Sequence, residues 1–449
     1  MGSMASTNEA VAALLREYAE LLVMTGGDQF RARNYEKAAK SVAGYPDDIG
    51  ELPDTALTSI SGVGSSIAGK IAEYRRTGTI AALEEMRSKL PPGVLQIAKV
   101  PGLGPKKALQ LSRDLGIGSL PELEDAVRHG RLQRLAGFGG RTEERILRGI
   151  AVITRDAALR DALRALPPQA DAEQIESVLA GQLGLAGQQG QAAQPGTAAR
   201  GESAGSQRLV RTEDLLGDLH THTDLTDGVA SLGEMIAAAK ARGYAYYAVT
   251  DHAPNLVMQR MTDEKMLTQR AEVRALEDKA GLALLHGTEL NIAPDGSVDW
   301  DADFLRGFDV RVASVHSSFD QDQAAMTKRF VAAAENPYVN IIGHPLTRKL
   351  GRRPPVTVDL DELYRACART GTALEINASP ERMDLPPGDI AAAQSAGVKF
   401  AIDTDAHSLV HLGNMRYGVA AARLGGLTTA DVINAWPLEK LEEFFRKDR

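Results

Sequence analysis

Six of the nine histidines are candidate metal ligands in short motifs of the C-terminal half, and each motif follows a run of strand-like residues. The motifs are DLHTHTDLTDG, VTDHA, LHGTEL, ASVHSS, IIGHP and IDTDAH. Imidazoles and carboxylates without a thiol suit Zn²⁺, Mn²⁺ or Fe²⁺. The pattern predicts a polynuclear metal site with nine candidate ligands: His220, His222, Asp227, His252, Glu289, His316, His344, Asp405 and His407.

The spacing within the first motif supports convergence on one cluster. His220 and His222 are two residues apart, so on a strand their side chains leave the same face. Asp227 follows in a glycine-containing loop that can fold back over them. A single histidine at a strand end is more often a core or surface residue, but six such positions reverse that preference. His129 and His286 keep this ordinary interpretation.

Seven apolar runs alternate with helical segments after residue 212, and the candidate ligands lie at or just after the ends of six of them. Strand and helix alternation of this kind predicts an α/β barrel. Functional residues of such barrels gather at the C-terminal ends of the strands. The predicted strands are Leu215–His222, Tyr244–Thr250, Leu282–Glu289, Phe308–His316, Val339–His344, Ala373–Asn377 and Lys399–Thr404.

The order HxH, DH, GTE, SVH, GHP, EIN and TDAH resembles the PHP (polymerase and histidinol phosphatase) domain over residues 212–449. The resemblance implies a distorted (β/α)7 barrel that holds two or three divalent ions. It also implies phosphoester hydrolysis by a metal-bound water that the ligands activate. Substrate phosphates could bind a basic loop, for which the alternative is a solvated surface loop. That loop contains Arg348, Lys349, Arg352 and Arg353, while Asn377 and Ser408 are candidates for supporting the ligands.

Residues 8–158 show apolar side chains at three- and four-residue spacing, which predicts an all-α region. Three Gly-x-Gly turns interrupt it as an internal repeat. Such a turn lets the backbone approach a phosphate. We interpret the repeats as helix-hairpin-helix modules that bind a DNA backbone without reading sequence, the alternative being a bundle with glycine caps. The turns and their basic residues are Gly62, Gly64 and Lys70; Gly102, Gly104, Lys106 and Lys107; and Gly137, Gly139, Arg141 and Arg145.

The segments FRARNYEKAAKSV, SISGVGSSIAGKIAEYRRTG and AKVPGLGPKKALQL resemble the lyase-type and fingers domains of family X DNA polymerases. The resemblance places Lys70 where lyase-active members carry a Schiff-base lysine, and Tyr35 where a tyrosine contacts DNA. Ser66 replaces a neighbouring lysine of the vertebrate pattern. A salt-bridging helix lysine is the favoured alternative for Lys70. A monovalent cation at one hairpin is a further candidate cofactor.

The polymerase active site of that family is not found in this sequence. Residues 150–212 contain no Asp-x-Asp pair and are too few for a palm and a thumb. Residues 180–211 are rich in Gly, Gln, Ala and Ser, which predicts a flexible linker. The predicted domains are a lyase-type domain at 1–80, a fingers-like domain at 81–158, a helical stretch and linker at 159–211, and the PHP barrel at 212–449.

Charge, cysteine content and apolar runs indicate the partners and the cell compartment to expect. The net charge is −8, yet residues 1–150 carry 20 Lys/Arg against 18 Asp/Glu, so the first third could meet a polyanion. The single cysteine, Cys367, favours a reducing cytoplasm. The resemblance to bacterial members of the polymerase family implies a bacterial, nucleoid-associated protein. No apolar run of 18 residues and no secretory signal are found, so no membrane partner is predicted.

We therefore expect a DNA-binding, metal-dependent phosphodiesterase without polymerase activity, acting as a 3′-5′ exonuclease or end-processing enzyme in repair. Two alternatives remain. One is a phosphatase for a small phosphomonoester such as histidinol phosphate, and the other is a non-catalytic DNA-binding scaffold with a stabilising metal site.

Overall fold

The computed structural model of this chain describes residues 7–100, 102–135, 138, 140–184 and 208–447. The chain divides into two compact units, Met1–Ala165 with Lys349–Pro354 and Leu166–Arg348 with Pro355–Arg449. Gly137, Gly139 and most of the predicted linker lie outside the described residues. The domain boundaries expected at 80, 158 and 211 stay predictions.

The N-terminal 165 residues contain helices and turns in every described segment, as the apolar spacing predicted. In one core of this unit, Leu15 and Tyr18 of the first helix pack against Tyr35 and Ala39 of the second. The rings of Tyr18 and Tyr35 stack with centroids 4.3 Å apart. The helices are α1 (Thr7–Met24), α2 (Gln29–Ala43), α3 (Ser65–Thr77), α4 (Ala81–Ser88), α5 (Val94–Ala98), α6 (Gly104–Leu115), α7 (Leu120–Arg128) and α8 (Gly140–Arg164).

Two glycines set the turns that precede α3 and α6. Gly62 has a φ of +77° and Gly102 a φ of +81°, the left-handed region that glycine adopts without steric cost. A side chain on Gly102 would also lie 2.2 Å from the Nη2 atom of Arg145. The first glycine of each of these two Gly-x-Gly turns is therefore required by the backbone conformation.

The second unit contains a seven-stranded, wholly parallel sheet in the order β1 to β7. Helices alternate with the strands along the chain. The strands are β1 (Gly217–Asp218), β2 (Tyr246–Val249), β3 (Ala283–Asn291), β4 (Val310–Ser314), β5 (Ile341–Ile342), β6 (Ala373–Asn377) and β7 (Phe400–Asp403). The helices are α9 (Ala172–Gln182), α10 (Leu232–Ala241), α11 (Asp263–Ala280), α12 (Ala302–Leu305), α13 (Gln323–Glu335), α14 (Leu360–Thr370), α15 (Pro387–Ser395), α16 (Met415–Leu424) and α17 (Leu438–Arg446).

The sheet closes into a barrel between its first and last strands. Thr221 and Ala406 form a parallel bridge, and the Leu219 amide donates to the Asp403 carboxylate at 2.8 Å. Alternation along β2 sorts the side chains, since Tyr246 belongs to the barrel interior and Tyr247 to the layer shared with α10 and α11. The predicted (β/α)7 barrel with an N-terminal helical region is therefore confirmed. No helix among the described residues is long and apolar enough to span a membrane.

His286 is a buried histidine of β3 outside the predicted ligand set. Its ring stacks on Phe308 at 5.3 Å, and neither ring nitrogen has a hydrogen-bond partner among the described residues. Burial, together with the nearby Arg270 and Arg274, lowers its pKa to about 3. The ordinary interpretation of this residue as a core histidine fits these contacts.

We expect His286→Phe to stabilise the second unit, because an unsatisfied buried polar group costs about 1 to 3 kcal/mol. Each kcal/mol gained in the free energy of unfolding should raise the Tm of a unit of this size by roughly 2 to 4 °C. The advantage should widen below pH 6.5, because only the unfolded wild-type imidazole binds a proton between the ordinary pKa of 6.5 and about 3.

Both tryptophans, Trp300 and Trp436, belong to the second unit, so tryptophan fluorescence during heating reports on that unit alone. The measurement compares the variant with the wild type at pH 8 and pH 5.5. An equal or lower Tm for the variant at both pH values contradicts the prediction.

Candidate metal centre

The nine predicted ligands converge at the carboxyl ends of the barrel strands. They form overlapping sets whose ligand atoms lie within 4.8 Å of one another: a first group of His220, His222 and Asp405, a second of His252, Glu289 and His316, and a third of His222, Asp227, His252 and His407. His344, the ninth residue, places its Nε2 atom 3.1 Å from Oε1 of Glu289. His222 and His252 each belong to two groups, so the three groups are contiguous.

The first group is the most deeply buried. The Nε2 atoms of His220 and His222 lie 3.2 Å apart, and Oδ1 of Asp405 lies 3.3 Å from His222 Nε2 and 3.8 Å from His220 Nε2. Oε2 of Glu289 lies 3.5 Å from His220 Nε2 and 3.6 Å from His222 Nε2. Four donor atoms, from β3 and from the segments that follow β1 and β7, therefore surround one small volume.

Glu289 joins the first group to the second. Its Oε1 atom lies 3.1 Å from His316 Nε2 and 3.1 Å from His344 Nε2, while Oε2 lies 2.8 Å from His252 Nδ1. The two oxygens of one buried carboxylate thus face five imidazoles in all. A carboxylate in this position can bridge two cations, because each oxygen can serve a different ion.

The third group is built around Asp227. Its Oδ1 atom lies 3.3 Å from Nε2 of His252 and 3.2 Å from Nε2 of His407. The His222 ring stacks between the rings of His252 and His407, with centroids 4.5 Å and 4.3 Å away. Three rings and one carboxylate therefore meet at the mouth of the barrel.

These separations fit divalent ions. Two nitrogen ligands at 2.0–2.1 Å from a tetrahedral ion lie roughly 3.3 Å from each other, and the pairs above fall close to that distance. The buried imidazoles and carboxylates contact several partners each instead of forming separate pairs. Such a set of nitrogen and oxygen donors is suited to Zn²⁺, Mn²⁺ or Fe²⁺.

The protonation states of several ligands also suit cation binding. Burial lowers the pKa of His222 to about 4 and that of His344 to about 3, so both are neutral at pH 7. Burial alone would raise the pKa of Glu289, but the positive charge of His316, His252 and His220 holds it well below its usual value. The carboxylate at the centre of the cluster is therefore ionised and able to bind a cation.

Several supporting residues were missed by sequence reasoning. Glu375 accepts from His220 Nδ1 at 2.6 Å and from the His344 amide at 2.5 Å. Asn291 contacts His316 Nδ1 through Oδ1 at 2.8 Å and donates to Asp299 at 3.1 Å. Hydrogen bonds to the second ring nitrogen fix the orientation of a metal-binding histidine. A polar residue at an inward strand position, as Glu375 is in β6, is the sequence signal that could have found it.

Of the two weaker supporting candidates, Asn377 contacts the site directly. Its Nδ2 atom donates to Glu375 at 3.1 Å and to Asp405 at 3.2 Å. Ser408 accepts from the His411 amide at 3.4 Å, three residues further along the loop. The structure therefore brings Asn377, but not Ser408, against two carboxylates of the centre.

Arg382 is a cation at the centre that the sequence did not single out. It follows β6, and its Nε atom lies 3.3 Å from Oδ2 of Asp405. Its Nη1 atom is buried without a hydrogen-bond partner among the described residues. A guanidinium with a free N–H beside candidate metal ligands is suited to a phosphate oxygen.

The predicted basic loop has other contacts. The Arg348 side chain is 3% exposed and donates to the carbonyls of Arg382 and Met383, so it holds the loop that carries Arg382. Lys349 and Arg353 pair in an antiparallel bridge, and with Arg352 they are partly buried in the first compact unit. A phosphate role for these four residues stays a prediction.

In the first unit, the hairpin residues before α3 line a cavity of about 590 Å³ together with Arg31, Asn34 and Tyr35. The Tyr35 hydroxyl is buried without a partner among the described residues. Lys70 lies 3.3 Å from the Ser66 hydroxyl and 5.8 Å from the centroid of the Tyr35 ring. The predicted DNA-contacting residues of this hairpin, Gly62, Gly64, Lys70 and Tyr35, therefore lie at or beside one cavity.

At the second hairpin, Lys107 donates to the Gly102 carbonyl at 3.1 Å and lies over the Phe138 ring at 5.4 Å. Lys106, beside it, is exposed, and Gly104 is partly buried at the start of α6. The third pair, Gly137 and Gly139, lies outside the described residues.

Family models agree with this division of the chain. A helix-hairpin-helix domain model matches residues 6–80, and a SAM-like helix-hairpin-helix tandem model matches residues 54–111 and 94–151. A PHP domain model matches residues 218–379. The matched ranges contain the hairpin cavity of the first unit and seven of the nine candidate ligands.

Comparison with individual proteins extends these matches. The DNA polymerase/3′-5′ exonuclease PolX of Bacillus subtilis (strain 168) is 28% identical over 564 aligned positions, covering 97% of this chain and 98% of that protein. A probable phosphatase of Thermoanaerobacter sp. (strain X514) is 29% identical over 248 positions, covering 52% of this chain and 96% of that protein. A solved histidinol phosphate phosphatase from Lactococcus lactis, in complex with zinc, L-histidinol and phosphate, is 18% identical, with a TM-score of 0.32 and coverage of 46% of this chain and 93% of that chain.

The length of the PolX alignment bears on the predicted loss of the palm. Its 564 positions exceed the 449 residues of this chain, so PolX contains residues that this chain lacks. The aligned part of this chain, 97% of its length, includes both the helix-hairpin-helix segments and the barrel. The chain is therefore a PHP-domain protein with N-terminal helix-hairpin-helix domains, related along its length to a family X polymerase and exonuclease.

Proposed function

We propose that this protein is a DNA-binding, metal-dependent phosphodiesterase that removes nucleotides or blocked ends from DNA in the 3′ to 5′ direction. The observation that carries the proposal is the position of Glu289, whose two oxygens face two sets of imidazoles at the mouth of the barrel. Divalent ions bound there would supply an activated water and neutralise phosphate charge. No side-chain nucleophile is then required.

The residues of the chain would divide the remaining work. Arg382 is suited to orient a phosphate through its free Nη1 atom, and Asp405 holds its Nε atom in place. Glu375 and Asn377 fix the direction of His220 and Asp405. The hairpin domains supply backbone affinity for DNA and so raise its local concentration at the barrel.

A phosphatase for small phosphomonoesters is the second candidate. The probable phosphatase of Thermoanaerobacter aligns over almost its whole length with about half of this chain, which favours this alternative. It assigns no role to the hairpin domains.

A substrate comparison tests the proposal. The protein is loaded with Mn²⁺ and offered a labelled single-stranded oligonucleotide or p-nitrophenyl phosphate, and EDTA is then added. We expect the larger kcat/KM on the oligonucleotide, with EDTA abolishing turnover. A larger kcat/KM on p-nitrophenyl phosphate supports the phosphatase instead, and no turnover of either substrate supports a scaffold.

The hairpin cavity gives a separate prediction for DNA affinity. Arg31 lines the cavity and is exposed, so Arg31→Glu should weaken DNA binding roughly 10-fold and reduce the salt dependence by about one phosphate contact. Arg369→Glu makes the same change in net charge at the exposed ion pair with Glu335 and should leave affinity unchanged. Fluorescence anisotropy at several salt concentrations measures both, and equal losses in the two variants contradict the prediction.

A further inference from the structure

Asp251 is a buried carboxylate that precedes the ligand His252 yet belongs to none of the three ligand groups. Its side chain accepts four hydrogen bonds. The Thr223 amide donates to Oδ1 at 2.9 Å, the Thr223 hydroxyl to Oδ2 at 2.6 Å, and Gln269 to Oδ2 at 2.6 Å. The Thr226 hydroxyl donates to Oδ1. Only an ionised carboxylate offers acceptors alone, so this environment selects aspartate over asparagine.

Three of these four donors lie on the loop between His222 and Asp227. The loop folds back on itself, because the amides of Thr226 and Gly228 both donate to the Thr223 carbonyl, at 3.2 Å and 2.9 Å. A side chain on Gly228 would lie 2.7 Å from that carbonyl. The conformation of the loop is therefore fixed at Thr223 and Thr226, the residues that Asp251 holds.

Asp227 is the next residue of this loop and the sole carboxylate of the third group. Its position, 3.3 Å from His252 and 3.2 Å from His407, follows from the fold of the loop. The loop is also tied to the β7 side of the group, since the Val229 amide donates to the His407 carbonyl at 2.8 Å. Asp251 thus connects one ligand of the third group, His252, to the segment that presents another.

We propose that Asp251 is a positioning residue for the ion of the third group, acting through Thr223 and Thr226 on Asp227. The inference rests on the proposed metal centre, and it does not depend on which substrate that centre hydrolyses. Loss of the carboxylate frees the loop, so the third group binds its ion less tightly while the first and second groups keep theirs. A partner that supports ligands in this way typically contributes roughly 10- to 100-fold to metal affinity.

Asp299 offers a matched control in the second group. It accepts from the Asn291 amide at 2.6 Å and from the Asn291 side chain at 3.1 Å, and Asn291 in turn contacts His316. Asp251 and Asp299 are both buried carboxylates that act on a ligand through hydrogen bonds, but they serve different groups. Their substitutions should therefore remove different ions.

The test counts Zn²⁺ per chain by elemental analysis in the full-length protein. The Asp227→Ala variant shows how many Zn²⁺ ions are lost when the third group lacks its carboxylate. We expect Asp251→Asn to weaken one Zn²⁺ site 10- to 100-fold, and the Asp251→Asn/Asp227→Ala double variant to hold as many ions as Asp227→Ala alone. Asp299→Asn/Asp227→Ala should lose a further ion.

An Asp251→Asn protein with full Zn²⁺ content and affinity overturns the proposal, as does a further loss in its double variant with Asp227→Ala. If tryptophan fluorescence shows that Asp251→Asn does not fold, Thr226→Val is used in its place, because it removes one donor and leaves the carboxylate. The Zn²⁺ content of Thr226→Val, alone and combined with Asp227→Ala, then tests the proposal in the same way. A failure of DNA hydrolysis in the wild type would refute the proposed function and leave the Zn²⁺ counts as a test of this inference.

Discussion

Glu289→Gln should lower the rate of phosphodiester hydrolysis by at least roughly 1,000-fold, because one substitution weakens the binding of two ions. The carboxylate presents Oε1 to His316 and His344 and Oε2 to His220, His222 and His252. Glutamine removes the negative charge and turns an N–H₂ group toward imidazole nitrogens on one side. The variant therefore loses both a ligand and the attraction between the two sides of the cluster.

Two matched glutamate substitutions calibrate that loss. Glu375→Gln changes a partner of His220 rather than a ligand, and should reduce the rate roughly 10- to 100-fold. Glu335→Gln breaks a surface ion pair with Arg369 and should leave the rate unchanged. Initial rates on a labelled oligonucleotide at saturating Mn²⁺ give the comparison. A Glu289→Gln rate within about 10-fold of the wild type would contradict the assignment of Glu289 as a shared ligand.

Removal of metal should destabilise the second unit alone. Each ion present at about 100 times its Kd stabilises the folded state by about 2.7 kcal/mol, so two ions add at least roughly 5 kcal/mol. For a unit of this size that corresponds to a fall in Tm of roughly 10 to 20 °C on adding EDTA. Without the ions, the charges of the buried imidazoles and carboxylates can be compensated only by one another.

The two tryptophans allow this effect to be assigned, because both belong to the second unit. Tryptophan fluorescence during heating should show a lower Tm in EDTA, with recovery after addition of Zn²⁺ or Mn²⁺. Both units contain helices, so a circular dichroism transition that EDTA leaves unchanged while the tryptophan transition moves to lower temperature would belong to the first unit, which contains no tryptophan. An unchanged tryptophan transition in EDTA contradicts a stabilising polynuclear site.

The sequence predicted the barrel because its signals are local. Six of the seven apolar runs end in a ligand motif, and parallel strands bring their carboxyl ends to one side. Strand lengths were less predictable. Leu215–His222 was expected as a strand, but β1 covers Gly217–Asp218, because the Leu219 amide binds the Asp403 side chain instead of a backbone carbonyl. Where the chain leaves the sheet near the candidate ligands, hydrogen bonds to side chains replace the backbone hydrogen bonds between strands.

The supporting residues depended on tertiary packing and were harder to predict. Arg348 and Arg382 have the same side chain, and only the path of the loops decides which one lies beside Asp405. That path passes through positive φ angles at His344 and Thr347, which apolar periodicity does not report. Glu375 could have been found as Asn377 was, since both occupy inward positions of an otherwise apolar strand.

The most direct test of the proposed function is the product pattern on a 5′-labelled single-stranded DNA with Mn²⁺, for the wild type and for Glu289→Gln. We predict a ladder of labelled products that shortens by one nucleotide at a time from the 3′ end in the wild type, and intact DNA with the variant. Labelled DNA that remains intact with the metal-loaded wild type, or a ladder of equal strength from Glu289→Gln, would contradict hydrolysis of DNA at this metal centre.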